Sequence, residues 1–199
     1  MDGSTGRAIS FGNKDDGGDI VETAFLCQGL IAVREYFKNG NEQEKALSDK
    51  ADNLWKGVEW SWYTNGENAM YWHWSPTYQW EMKFKLEGYN ECLIAYILGA
   101  SSPTYPIQAA AYHEGWARSG TIVTEKKQYE IPLIFKYNTV SGNAGPLFWA
   151  QYSYLGLDPT GLKDQYADYW QLTQNQAKIV YSYCVANPKR WLGYSDKCW

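Results

Sequence analysis

The sequence is short of the residues that metal, disulfide and nucleotide chemistry require. Four cysteines, Cys27, Cys92, Cys184 and Cys198, are too few to frame a chain of 199 residues. Cys27 and Cys92 lie inside apolar helical runs and read as core thiols, while Cys184 and Cys198 flank a Pro-containing turn and could pair or stay free. Neither a CxxC pair nor a Cys/His cluster occurs, so a zinc site has no ligand set. The two histidines are His73 and His113. His113-Glu114 opens like a zincin motif, but Ala117 stands where the second histidine belongs. Patterns of the G-x-S-x-G, P-loop and GxGxxG types are missing, which leaves acyl transfer and nucleotide chemistry without a foothold.

Charge and hydropathy exclude more. Lys+Arg 18 against Asp+Glu 22 gives a net charge of −4 with no basic block, contrary to a nucleic-acid footprint. The longest strong apolar run covers residues 93–100, well below the ~18 residues of a membrane span. Met1-Asp2-Gly3-Ser4 carries neither the charged nor the apolar part of a signal peptide, as expected of a cytoplasmic, truncated or processed chain. With hydrophobic residues at 45% and charged residues at 20%, the chain has the composition of a folded domain.

What is abundant is Trp and Tyr, 11 and 17 residues against 6 Phe. A core alone would favour Phe, Leu and Ile, because a buried indole N–H or phenol O–H must find a partner. The excess suits a wet cleft that stacks on flat hydroxylated faces such as sugar rings, although packing edges between helices absorb part of it.

Six helical segments are predicted, alternating in character. Residues 18–37 are apolar nearly all round, which predicts burial on most faces. Residues 42–60 place Leu47, Ala51, Leu54, Trp55 and Val58 on one face with charge opposite, the pattern of an amphipathic surface helix. The alternation repeats at 89–101 and 107–117, then at 147–155 and 163–186. Three pairs of buried and amphipathic helices predict part of a double-layered helical toroid, in which each inner helix is covered by the next outer one. Two long connections, 61–88 and 119–146, precede inner helices, and long loops in compact domains are usually functional. The second contains two strand-like runs, 121–124 and 129–137, that suggest a hairpin.

Asp15, Asp19 and Glu22 gather at the start of the first helix. Asp-x-x-Glu before an apolar run fits a capping box, yet Asp15-Asp16-Gly17-Gly18-Asp19 packs more acid into one turn than capping requires. Glu91 follows Tyr89-Asn90 at the third segment. There it serves the helix dipole equally well, or acts as a general acid whose pKa is raised by an apolar setting. Glycosidic hydrolysis uses such parts: two carboxylates and an aromatic platform, with no metal or cofactor.

The segments DDGGDIVETAFLCQGL, YWHWSPTYQWEM, GYNECLIAYILGASSPTYPI, YHEGWAR and GPLFWAQYSYLGLDPTGLKDQYADYW closely resemble the bacterial glucoamylase-like family, glycoside hydrolase family 144, whose characterised members are endo-β-1,2-glucanases. The likeness runs from about residue 12 to residue 199. It implies an all-α (α/α)6 toroid, with about three helix pairs present, a small β-hairpin in a long loop, and one catalytic domain over 1–199 truncated at both ends. It also implies inverting cleavage of a glucan, with Glu91 as general acid and Asp15, Asp19 and Glu22 as the acidic cluster of the pocket. Trp72, His73, Trp74, Trp80, Tyr89, Asn90, His113, Trp116, Trp149 and Tyr152 are the matching substrate-binding positions. The general base falls outside this chain, so the isolated fragment is expected to hydrolyse poorly, and the parent is expected to be periplasmic or secreted. The expected partner is a glucan oligosaccharide or polysaccharide, with no nucleic acid and no membrane span. Rival readings are an exo-acting α-glucosidase, a glucan-binding module without catalysis, and a lyase with Tyr89 or His113 as base.

Overall fold

In the computed structural model, Asp19 starts the first helix. Its carboxylate accepts the backbone N–H groups of Val21 and Glu22 at 2.8 and 3.0 Å, the interaction that makes aspartate a strong N-cap. Helix α1 then runs Ile20–Phe37. A short turn leads to Asn41, which caps α2 (Glu42–Lys56) reciprocally: the Asn41 side chain accepts the Gln43 and Glu44 N–H groups while the Glu44 carboxylate accepts the Asn41 N–H. The two helices form a hairpin tied by Arg34–Asp52 at 3.0 Å and by the Ser48 hydroxyl donating to the Arg34 carbonyl at 2.9 Å.

The structure describes residues 2–137 and 143–198. They divide into two compact units, one of residues 2–86 with 94–116, the other of 87–93 with the described residues from 117 onward. Among the described residues, no helix is long and apolar enough to cross a membrane.

In the first unit, β1 (Gly18–Asp19) pairs antiparallel with β2 (His73–Trp74), in the register Gly18 opposite Trp74 and Asp19 opposite His73. The glycines permit this approach. A Cβ on Gly17 would lie 2.0 Å from the Trp74 carbonyl oxygen, and one on Gly18 would lie 2.4 Å from the Tyr63 hydroxyl. Helix α3 (Leu93–Ser101) contributes Tyr96, whose buried hydroxyl donates to the Leu86 carbonyl at 2.8 Å and accepts the Met70 N–H at 2.9 Å. A π-helical turn, Ala111–Trp116, packs so closely that a Cβ on Gly115 would lie 2.7 Å from Ala69 Cα.

In the second unit, β3 (Val123–Gln128) and β4 (Ile131–Phe135) form a hairpin, as expected, but residues 125–128 extend the first strand and the turn falls at 129–130, later than the sequence runs predict. Tyr129 and Glu130 at its tip both take positive φ, the requirement of the tight turn that matches strand twist. After α4 (Leu147–Gln151), α5 (Tyr169–Ala186) packs on β4 through buried Leu172 and Asn175, the latter donating to the Pro132 carbonyl at 3.0 Å. Its end at Asn187, in the left-handed conformation, falls where the sequence predicts.

The chain is mostly helical, as expected, with two small sheets of which only the β3–β4 hairpin was expected, and the helices are shorter and less enclosed than their patterns predict. The 89–101 segment becomes helical only at Leu93, because Tyr89 bridges to Tyr137 and the Asn90 side chain accepts the Cys92 N–H at 2.9 Å in a turn. The 163–186 segment starts at Tyr169, capped by Asp168. Segment 42–60 stops at Lys56, and Trp60–Thr64 form a separate 3-10 turn. Segment 147–155 likewise divides into α4 and a 3-10 turn at Tyr152–Tyr154. Helix α1 buries Ile20, Val21, Ala24, Cys27 and Gln28 but leaves Leu26 at 63% exposure, so its apolar sequence does not mean burial on every face. On α2 the packed row is Ser48, Ala51 and Trp55, while Leu47 and Leu54 are exposed: α1 crosses beside the predicted stripe. All four cysteines are free thiols, with Cys27, Cys92 and Cys184 buried and Cys198 exposed.

Candidate active site

The first unit gathers the acidic turn and most of the tryptophans. Pairing of β1 with β2 sets Asp19 opposite His73, and the loop before it brings Asp15 Oδ1 to 3.3 Å from His73 Nε2. The imidazole is fully buried and the contact is angled away from hydrogen-bond geometry, so the two form a close polar pair rather than a tight one. Asp16 accepts the hydroxyl of buried Ser75, and this bond, followed by one from Thr77, holds its carboxyl below the ordinary carboxylate range. The same Ser75 oxygen accepts the N–H groups of Thr77 and Tyr78 at 3.0 and 2.9 Å.

Asp19 behaves in the opposite sense. Partial burial raises its carboxyl above the ordinary range, against the opposing pull of the Glu22 and Val21 N–H bonds, while the Glu22 charge adds to the rise. The nearby Trp72 indole pulls the same carboxyl slightly downward. Burial and the neighbouring Asp19 charge raise the Tyr63 phenol. Glu22 stands exposed in the first turn of α1. Capping therefore accounts for part of the Asp19 environment, and the Trp72 indole and Tyr63 phenol lie close to it as well.

An aromatic wall continues from there. Trp80 touches Tyr63, Tyr71 and Trp62 at ring separations of 5.8, 5.7 and 5.9 Å. Trp62 in turn meets Trp74 edge-on at 6.2 Å, and Trp72 packs against Phe84 at 5.7 Å. Trp72, Trp74 and Trp80 are only partly buried, which leaves indole surface for a ligand. Trp116 is different. It is fully buried and stacked on Tyr112 at 5.1 Å, so it supports the site from the interior. His113, on the same π-helical turn, packs edge-on against Tyr112 at 5.4 Å.

The second unit carries Tyr89, Asn90, Glu91, Trp149 and Tyr152. Tyr89 is a core residue, edge-on to Phe135 and Tyr137 at 5.6 and 5.2 Å, and burial pushes its phenol well above the usual range. Asn90 is buried and spends its side-chain oxygen on the Cys92 N–H. Glu91 between them is half-exposed, and its carbonyl accepts the hydroxyl of buried Ser153 at 3.0 Å. Ser153 belongs to the 3-10 turn that also holds Tyr152, which is 44% exposed. Trp149 lies across Gly145, where any Cβ would come within 2.1 Å of the indole.

In the first unit Tyr63, Ser75 and the glycines at 17 and 18, and in the second unit Ser153, are structural partners that sequence reasoning missed. Only the Gly-Gly pair carried a signal, a double glycine inside an acidic turn.

The family described as "Putative glucoamylase" matches residues 83–199. The chain is 57% identical to the endo-β-1,2-glucanase from Chitinophaga pinensis, solved with sophorotriose and glucose; the match covers 97% of this chain and 46% of that one, with a TM-score of 0.93. The β-1,2-glucanase from Parabacteroides distasonis is 41% identical over 100% of this chain and 31% of its own, with a TM-score of 0.89. An exo-β-1,2-glucooligosaccharide sophorohydrolase (non-reducing end) of the same organism is 41% identical over 215 residues. The chain spans 30% of the length of that curated relative. With more than half of its sequence matched, and with the resemblance seen in its motifs now met by solved relatives, the chain belongs to the glucoamylase-like family.

Proposed function

We propose that this chain is part of a glycoside hydrolase that cleaves β-1,2-glucan within the polymer and with inversion. On this reading it forms one catalytic domain built on the (α/α)6 toroid plan, holding about three helix pairs of it. The observation that carries the proposal is the acidic turn of Asp15, Asp19 and Glu22 set against a wall of partly open indoles in a single unit. Carboxylates bind vicinal sugar hydroxyls, indoles stack on pyranose faces, and no metal or cofactor is needed for either. The names of the relatives support the β-1,2 linkage over an α-glucan, and the higher identity to the endo-acting one supports endo action.

In this mechanism Glu91 donates its proton to the departing glycosidic oxygen while a water attacks the opposite face of the sugar. The water loses its proton to a second carboxylate, which the family resemblance assigns outside this chain. Trp72, Trp74, Trp80, Trp149 and Tyr152 hold the sugar rings. Tyr89, Asn90, His73, His113 and Trp116 fix the elements that carry the reacting groups. The parent protein acts in the periplasm or outside the cell.

The test is turnover of linear β-1,2-glucan by the full-length protein and its Glu91→Gln variant, with product anomers followed by NMR. Loss of roughly a hundredfold or more in kcat is expected, since general acid catalysis contributes about that much. Unchanged turnover by Glu91→Gln removes Glu91 from the mechanism. Release of glucose alone replaces endo with exo action, and a retained anomer rejects inversion.

A further inference from the structure

Residues 59–66 form a recess that the acidic turn does not use. It encloses about 400 Å³ and is lined by Glu59, Ser61, Trp62, Asn65, Gly66 and Trp80. Trp60 anchors the segment, being fully buried, and the Ser61 N–H donates to the Tyr105 carbonyl at 3.2 Å. The turn closes on itself: the Trp62 N–H donates to Glu59, the Asn65 N–H to Trp62 and the Thr64 hydroxyl to Ser61, at 3.0, 3.0 and 2.8 Å. Trp62 is therefore held on a fixed turn, 50% exposed, its ring tilted 45° to Trp80. Asn65 and Gly66 both take positive φ and turn the backbone out of the way, with open space where a Gly66 side chain would stand.

The geometry points to a distal sugar-binding subsite, in which a pyranose ring of a β-linked glucan lies on Trp62 and its hydroxyls meet Glu59, Ser61 and Asn65. An exposed indole on a braced turn offers a flat apolar face at little ordering cost, and the carboxylate, hydroxyl and amide around it match the edge of a sugar. A line of side-chain contacts joins the recess to the acidic turn. Trp80 lines it and touches Tyr63, which sits against Gly18 beside Asp19. A chain bound at Asp19 reaches Trp62 only if it is long enough, so this subsite reads chain length. The inference rests on the glucan reading given above.

The experiment is calorimetric titration of the full-length protein, in a Glu91→Gln background, with linear β-1,2-glucooligosaccharides of increasing length. Trp62→Ala is expected to lower affinity for the longer chains by about tenfold, the scale of one aromatic contact, and to leave the shortest unaffected. Trp62→Phe, which keeps a flat ring, should retain most of the affinity, and circular dichroism at the titration temperature checks that both variants are folded. If the background protein binds with affinity rising with length and Trp62→Ala matches it at every length, the subsite is wrong while the glucan reading stands. If the background protein binds none of the oligosaccharides, both fall. An equal loss at every length would place Trp62 in the central site and overturn the distal assignment.

Discussion

The hydroxyl of Ser153 donates to the main-chain carbonyl of Glu91 across 3.0 Å. This single bond joins the segment that carries the proposed acid to the turn that carries Tyr152. Glu91 is held at its backbone, and the residue is half-exposed.

Ser153→Ala removes the donor and leaves the carbonyl short of it in the interior. A loss of about 1 kcal/mol in stability is expected, measured by urea denaturation. If Glu91 is the acid, kcat on β-1,2-glucan should fall while KM changes little, and its pH profile should shift. A variant with wild-type stability and wild-type kcat would show that the bond positions nothing.

The two glycines of the acidic turn should respond differently to a methyl group. At Gly17 the added Cβ meets main chain, the Trp74 carbonyl at 2.0 Å and Ser75 Cα at 2.6 Å, and neither can move without breaking the β1–β2 pairing. At Gly18 it meets the end of the Tyr63 side chain, which can turn away. Gly17→Ala is therefore expected to lose about 3 kcal/mol or more, at the upper end of overpacking costs, and Gly18→Ala clearly less. Thermal denaturation of both variants checks the order, and equal stabilities would refute it.

Asp19 and Asp16 should give opposite pH dependences. Burial raises the Asp19 carboxyl, so the native state holds its proton more tightly than the unfolded chain does. Stability then falls as pH rises from the ordinary value of 3.8 through the raised one. Hydrogen bonds from Ser75 and Thr77 lower the Asp16 carboxyl, so its contribution is present above 3.8 and lost as pH falls through the lowered pKa. Asp19→Asn keeps a capping oxygen and removes the buried charge, so stability at neutral pH should hold or rise; Asp19→Ala loses the cap and about 1 kcal/mol. Denaturation midpoints across the acid-to-neutral range read this directly. An Asn variant as unstable as the Ala variant would contradict it.

Much of this was legible in residue order. Asp19 before an apolar run and Asn187 before Pro188 marked helix ends at or within two residues of where the structure has them, because caps are local chemistry. A hairpin was legible from its strand-like runs, but its turn was not: the tip lies at Tyr129 and Glu130, inside the run expected at 129–137. The start of α3 was not, since the Tyr89–Tyr137 bridge that keeps residues 89–92 out of the helix joins positions far apart in the chain.

By itself the sequence determined the family, the helix-rich plan and the identity of the acidic and aromatic residues, all of which depend on composition, spacing and motif. Only the tertiary structure decided which of them face outward. Trp62 and Trp116 are the same residue type, yet one lies half-open on a recess and the other is sealed against Tyr112. Asp16 and Asp19 are three apart, yet one carboxyl is lowered by a serine from a distant loop and the other raised by burial. Exposure and desolvation are properties of whatever the rest of the chain brings alongside, and local sequence does not encode them.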